Sequence, residues 1–218
     1  MRSRSTVRST GTLVWYDQPA AGPFSAAPEF REARPLSSRG SAVGHELGKV
    51  IRSFATGVCV AATYTDTPDG RRHDAITVNS LTSVSLEPPL ICICLPGNSD
   101  FLSALRSSNL WAVSILHTGG DEVARILESD RQSRMAALPS LTAAPGPSTG
   151  ALVLDCLGWL ECVLRDEFDA GDHTVVIGEV LATGAQERRS PLISLHGRYH
   201  ATGAPRTAAP PVPTGDIR

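Results

Sequence analysis

Asp74-Ala75-Ile76-Thr77-Val78-Asn79-Ser80-Leu81-Thr82-Ser83-Val84-Ser85-Leu86-Glu87-Pro88-Pro89-Leu90 is the stretch on which the reading of this chain turns. Ile76, Thr77 and Val78 are β-branched and predict a strand. Asn79-Ser80 leads out of that strand into a polar turn, where backbone N–H and C=O groups are free to meet something other than a neighbouring strand. Ser83 and Ser85 alternate on one face of a second short strand, so both hydroxyls can reach one group. The run Leu90–Leu95 follows, apolar throughout and bounded by Pro88-Pro89 and Pro96-Gly97. It predicts a short strand buried on both faces.

Upstream, Leu47, Val50, Ile51 and Phe54 recur at i, i+3, i+4 and i+7, one apolar stripe of a short helix that Gly57 ends. Val58–Thr65 reads as a strand, Thr67-Pro68-Asp69-Gly70 as a tight turn, and Ala75–Val78 as the return strand. Downstream, Ser99 is placed to cap a helix whose apolar face is Phe101, Leu102 and Leu105. Leu110–Leu116 is a further strand, and Asp121–Leu127 a helix with Val123, Ile126 and Leu127 inward. Residues 128–150 read as irregular. Leu157–Phe168 and His173–Thr183 are long strands joined by Asp169-Ala170-Gly171-Asp172, and Leu192–Leu195 is a last short strand before His196-Gly197-Arg198-Tyr199-His200. Six or seven strands with hairpin-length links predict a mainly β fold, an antiparallel barrel with a few short helices around it.

The chain has 218 residues, enough for one ordinary domain with tails. Hydrophobic residues are 41%, so a packed core is expected over about 45–200. Residues 1–44, rich in Ser, Arg, Ala and Pro, read as a disordered leader. Arg2, Arg4 and Arg8 without an early acid give it only a faint likeness to an organellar transit peptide. Residues 201–218, with Pro205, Pro210, Pro211 and Pro213, read as an exposed tail. The net charge of −2 and 5% aromatics argue against nucleic-acid binding, which calls for a basic surplus and stacking platforms. No stretch reaches the roughly 18–20 apolar residues of a membrane helix. Five cysteines, an odd number without framework spacing, suit free thiols in a reducing cytoplasm.

Several motif matches fail on context. Gly146-Pro147-Ser148-Thr149-Gly150 fits G-x-S-x-G, but it lies in a Pro/Gly loop and not at a strand-to-helix elbow. There is no G-x-G-x-x-G, so a Rossmann site has no support. Cys92 and Cys94 read as buried, inert thiols, and His196 and His200 lack a helix to hold them as a ligand pair, so no metal site is expected.

Four motifs in order carry a resemblance. Phe54-Ala55-Thr56-Gly57-Val58, the Thr77–Leu90 stretch, Gly171-Asp172-His173-Thr174 and His196–His200 together resemble the flavin reductase family of the FMN-binding split barrel. The resemblance covers about 45–200. Its one departure is Ala75-Ile76, where the family commonly has Gly-Met, a change expected to alter packing near the ring.

On spacing alone, Ser and Thr here are ordinary turn and cap residues. The resemblance implies more. Thr77, Val78, Asn79, Ser80, Ser83, Val84 and Ser85 would line FMN or FAD, with Asn98, Ser99 and Phe101 beside them. The helix N-terminus at Asn98-Ser99 is an anion-favouring feature that a barrel could bring onto the same phosphate as Ser83 and Ser85. Gly171, Asp172 and His173 would lie on the nicotinamide side, His173 orienting NADH or NADPH, and Tyr199 with Arg198 would border the pocket or close the barrel. The implied activity is hydride transfer from nicotinamide C4 to flavin N5, which the cofactors carry and the protein positions. A homodimer and a partner flavin-dependent monooxygenase belong to the same implication. The competing reading is a flavin-binding split barrel without reductase activity.

Overall fold

The Thr67–Gly70 turn closes the first of the hairpins from which the barrel is built. The protein is seen here in a computed structural model that describes residues 40–186 and 189–203. In chain order its elements are α1 (Gly40–Ile51), β1 (Thr56–Gly57), β2 (Cys59–Thr67), β3 (Gly70–Val78), β4 (Thr82–Leu86), β5 (Pro89–Pro96), α2 (Asp100–Ser108), β6 (Leu110–Ile115), α3 (Asp121–Leu127), α4 (Arg131–Ala137), β7 (Ala143–Pro145), β8 (Leu152–Leu154), β9 (Gly158–Ala170), β10 (His173–Ala185), β11 (Leu192–Leu195) and β12 (Arg198–Ala201). The expected leader and tail fall outside the described residues, apart from 40–44 and 201–203. From Ala42 onward the described residues belong to one compact unit.

Seven strands form one antiparallel sheet in the order β3-β2-β6-β9-β10-β5-β4, and β1-β11-β12 form a smaller one. The order explains the barrel. β3 and β4 are the two edges of the large sheet, yet only Asn79, Ser80 and Leu81 connect them. Laid flat, six gaps of about 4.8 Å would hold the edges some 29 Å apart. Three residues reach at most about 14 Å from end to end. The sheet must therefore curl until its edges nearly meet, and the seam is left open where Asn79–Leu81 crosses it. That is the split antiparallel barrel.

Inward-facing residues fill the interior: Ile91, Ile93 and Leu95 of β5, Trp111 and Val113 of β6, Cys162 of β9 and Val176 of β10, with Phe101, Leu102 and Leu105 of α2 packed among them. Ser99 caps α2 as expected, its hydroxyl accepting from Leu102 N at 3.1 Å. Gly178 is required by this packing, because a Cβ there would lie 2.4 Å from Cζ2 of the fully buried Trp111. A second cluster covers the outer face of β2, joining Val58, Val60 and Ala62 to Leu116, Ala124, Leu127 and Leu192. The strand buried on both faces is thus β2. β5 departs from expectation. Ile91, Ile93 and Leu95 are buried, Cys92 is half-buried, and Cys94 is exposed rather than an inert core thiol. Among the described residues that side of β5 stays open at Cys94, and an apolar run does not reveal which of its faces has a neighbour.

Residues 128–150 are more regular than expected. α4 buries none of its residues, so it carries no apolar period to read. Asp130 caps it by accepting from Ser133 N, and Arg134 and Arg131 reach back to the buried carboxylate of Asp74 at 3.1 and 3.5 Å. In the following loop, Gly146–Gly150 wraps the fully buried Glu161. That carboxylate accepts from Thr149 N and Thr149 Oγ1, each at 2.7 Å, and from Ser148 N at 3.0 Å. The G-x-S-x-G match is therefore a structural clasp on a carboxylate and not a nucleophile elbow. α1 starts at Gly40, ahead of the expected boundary, and stops before Phe54. Its stripe of Leu47, Val50 and Ile51, together with Phe54, is exposed.

Candidate functional site

The open seam holds the largest feature of the predicted site. Asn79–Leu81 leaves β3, faces the Phe54–Gly57 segment, and encloses with it a cavity of about 520 Å³. Ile51, Phe54, Leu81 and Ile115 supply an apolar wall, and Thr56, Asn79, Ser80 and Thr82 a polar edge. This volume and mixed lining are those of a small-molecule pocket. One atom in it is unprovided for. Thr56 Oγ1 is buried and has no hydrogen-bond partner among the described residues, a state that natural structures rarely leave without a ligand or water to answer it. An amphipathic ring with a polar edge fits both the wall and the orphaned hydroxyl.

Ser80 is occupied internally. Its hydroxyl accepts from Cys94 N at 2.9 Å and lies 3.3 Å from Cys94 O, lengthening the β4–β5 pairing by one step. Thr77 is occupied as well, donating to Ala124 O of α3 at 2.8 Å. Val78 is buried and Asn79 exposed, and both border a smaller polar cavity with Thr77, Glu128 and Tyr199. Tyr199 donates its hydroxyl to Glu128, and burial together with that carboxylate pushes its ionisation well above the ordinary tyrosine range. So Tyr199 reaches the edge of the site as expected, tied to the end of α3.

The two serines of β4 are not arranged as the alternation predicts. The register slips between them, so that Ser83 stands opposite Ile91 and Ser85 opposite Leu90. Those neighbours leave β5 on opposite faces, so the two hydroxyls do not share one face. Both still border a second cavity of about 370 Å³, which shares Leu81 and Ile115 with the first. Ser85 accepts from Glu87 N at 3.2 Å, Ser83 is exposed, and Val84 is exposed without bordering either cavity. Asn98 and Ser99 lie beyond Pro96, at the other end of β5. From Ile91 to Pro96 is roughly 17 Å of strand, so these two features of one chain cannot grip the same phosphate. Phe101 is fully buried in the barrel interior and acts through packing rather than contact with a ligand.

The Gly171-Asp172-His173 motif forms the β9–β10 turn, with Gly171 at φ +70°, a backbone conformation that favours glycine. Asp172 O accepts from Gly97 N at 3.0 Å, and His173 stands opposite Pro96 in the β5–β10 ladder. The motif is thereby fastened to the end of β5. Asp172 Oδ1 lies 2.8 Å from His173 Nδ1, and that hydrogen bond holds the carboxyl below its ordinary range. An ionised carboxylate only accepts, so Nδ1 is the donor in this pair and Nε2 is the ring nitrogen left for another partner. Cys94 is two residues from Pro96 and so shares its face with His173. Ser80, Cys94 and His173 follow one another across the sheet, with roughly 12 Å between the outer two by strand spacing. Two residues of this arrangement escaped the sequence reading. Thr56 was legible only as part of a motif, and Cys94 needed the knowledge that β5 is uncovered.

A curled antiparallel barrel whose open seam holds an apolar slot with a polar edge defines a binding barrel for a flat, amphipathic small molecule. Comparison with known proteins makes this specific. The family model described as flavin reductase like domain matches residues 51–203. An NADH-dependent FAD reductase of Streptomyces globisporus is 31% identical over 71% of this chain and 83% of its own length. A flavin reductase (NADH) of Kitasatospora aureofaciens is 33% identical over 73% and 84%. Among solved structures, BorF, the flavin reductase component of a bacterial two-component tryptophan halogenase, has a TM-score of 0.66 at 32% identity, over 72% of this chain and 97% of that one. The chain belongs to the flavin reductase-like family.

Proposed function

We infer that this chain is an NAD(P)H-dependent flavin reductase that reduces FMN or FAD and supplies the product to a partner flavin-dependent monooxygenase or related oxygenase. The observation that carries the reading is the seam cavity, where an apolar wall meets an unanswered Thr56 hydroxyl beside the Asn79–Thr82 turn. A flavin held there would supply the acceptor for a hydride from reduced nicotinamide. Thr56, Asn79 and Thr82 hold its polar edge, while Ile51, Phe54, Leu81 and Ile115 exclude water from its face. Asp172 fixes the His173 ring so that Nε2 meets the nicotinamide nucleotide at the far side of the site. None of these residues has to move a proton for the hydride to pass.

A homodimer belongs to this proposal. Ile51 and Phe54 are more than half exposed although they wall the cavity, and Leu47 and Val50 extend the same apolar surface. A second copy laid over it would bury the stripe and close the slot. Five free thiols suit a reducing cytoplasm. The assignment of 45–200 to the catalytic domain, with 1–44 as a leader and 201–218 as a tail, is part of the same proposal.

The deciding experiment adds FMN and FAD separately to the purified chain and follows NADH and NADPH oxidation without oxygen. Bleaching of the flavin by one equivalent of reduced nicotinamide is expected. A flavin that binds but stays oxidised would leave only a binding module. Light scattering tests the dimer, and a monomer at assay concentration would refute it.

A further inference from the structure

The β2–β3 hairpin, α2 and α4 enclose a small cavity of about 110 Å³ that shares no lining residue with the cavities beside Asn79–Ser85. Its floor is one face of the hairpin. Thr65 stands opposite Arg72 in the ladder and Thr67 opposite Gly70, and Asp74 follows Arg72 by two residues. Thr65, Thr67, Arg72 and Asp74 therefore leave the sheet on the same side. Ala104 of α2 and Arg131 of α4 close the space above them.

The polar groups around this space differ in their commitments. Asp74 is buried and fully engaged, one carboxylate oxygen held by Arg134 at 3.1 Å and the other by Arg131 at 3.5 Å. Arg131 approaches Asp74 and Asp100 most closely through Nε, at 3.5 Å in each case, so its two terminal nitrogens lie farther from both carboxylates. Thr67 donates its hydroxyl to Gly70 O at 2.7 Å. Arg72 is exposed and Thr65 half-buried, and neither side chain makes a hydrogen bond or ion pair among the described residues. Three guanidiniums, of Arg72, Arg131 and Arg134, thus stand against two carboxylates, of Asp74 and Asp100. The donors left over come from three elements: the Thr65 hydroxyl from β2, the Arg72 fork from β3 and the outer end of Arg131 from α4.

We propose that this cavity holds a phosphate group, either the free ion or the end of a phosphate monoester. A tetrahedral oxyanion offers oxygens in several directions and can answer donors that converge from three elements, whereas a planar carboxylate is satisfied by a single guanidinium fork. The space is large enough for the phosphate and too small for the body of a nucleotide or sugar, which would lie outside in solvent. Asp74 presents no unpaired charge to the anion, because both of its oxygens are already held. The surplus of one positive charge disfavours a cation in the same place. The argument does not depend on the flavin reading.

Inorganic phosphate, AMP and adenosine are titrated into the full chain by calorimetry at about 0.15 M sodium chloride, with and without FAD, a flavin that has no phosphate monoester. One inorganic phosphate per chain is expected in both conditions, and no Arg72-dependent binding of adenosine. AMP that competes with phosphate would identify a monoester as the ligand, and phosphate binding without AMP binding the free ion. Arg72→Gln should weaken phosphate about tenfold, the loss of one charge-assisted contact at an exposed site, and Thr65→Val about fivefold. Arg72→Gln should leave NADH oxidation unchanged, since Arg72 borders none of the flavin-site cavities. No phosphate binding at this salt concentration, indifference to both substitutions, or displacement of phosphate by FAD would each overturn the proposal. Arg72 is exposed, so its variant folds and keeps the test open even if Thr65→Val does not.

Discussion

Replacing Thr56 by valine exchanges one hydroxyl for one methyl at nearly constant shape, and the expected effects on stability and on flavin binding have opposite signs. In the flavin-free protein Thr56 Oγ1 is buried and has no partner among the described residues. Leaving such a group unsatisfied costs about 1–3 kcal/mol, and replacing it with an apolar group of the same shape removes that cost. The free variant should therefore be more stable by about 1–3 kcal/mol. In the proposed complex flavin supplies the partner, so the variant should gain nothing there and its flavin affinity should fall by the same quantity, about 5- to 150-fold. Urea unfolding of the flavin-free protein and fluorescence titration with FMN and FAD measure the two numbers separately. A variant that is less stable than the parent while binding flavin equally well would refute the reasoning, because the hydroxyl would then already have a partner inside the protein.

Other outcomes follow from the same geometry. Gly178→Ala drives a methyl to 2.4 Å from Trp111 Cζ2 and should cost about 1–3 kcal/mol by overpacking; calorimetric melting checks this, and an unshifted melting temperature would show that the indole is free to move. Asp172→Asn removes the ionised acceptor that orients His173, and should raise the KM for NADH while flavin affinity stays unchanged. The Asp172 carboxyl lies below its ordinary 3.8 in the folded protein. Its hold on His173 is therefore complete above that ordinary value and is lost as pH falls through the lower, folded value; NMR titration of the side chain should show this order, and a midpoint at or above 3.8 would contradict it. Cys94 should be the thiol that reacts with a neutral-pH alkylating reagent, because it is exposed while burial pushes Cys59 and Cys162 up to about 12. Bound flavin should slow that reaction, and peptide mapping reads both effects.

Much of this protein was legible without coordinates. The turn at Thr67–Gly70, the cap at Ser99, the helix at Asp121–Leu127 and the long β9–β10 hairpin were all readable, because each depends on residues close in sequence: a proline and a glycine in a turn, a hydroxyl ahead of a helix, an apolar period. Four motifs in order were enough to point to the family whose model matches residues 51–203. The misses share one cause. α4 is held by ion pairs to Asp74, which lies more than fifty residues away, and Gly146–Gly150 is shaped by the carboxylate of Glu161 on another strand. Neither partner announces itself locally.

What the sequence determined by itself is a set of strands, the turns between them, and a polar exit after Val78 that marks where a ligand would lie. What only the tertiary structure decided is which surfaces are covered and which groups are left over. Strand order makes β3 and β4 the edges of one sheet, so the three residues between them force it to curl and leave the seam open. Cys94 alternates with the buried Ile93 and Leu95 of β5 and is exposed. A one-residue slip in register parts Ser83 from Ser85, and the closing of the fold around Thr56 strands its hydroxyl. Burial, register and the loss of a hydrogen-bond partner are relations between distant segments, and a pattern along one chain does not contain them.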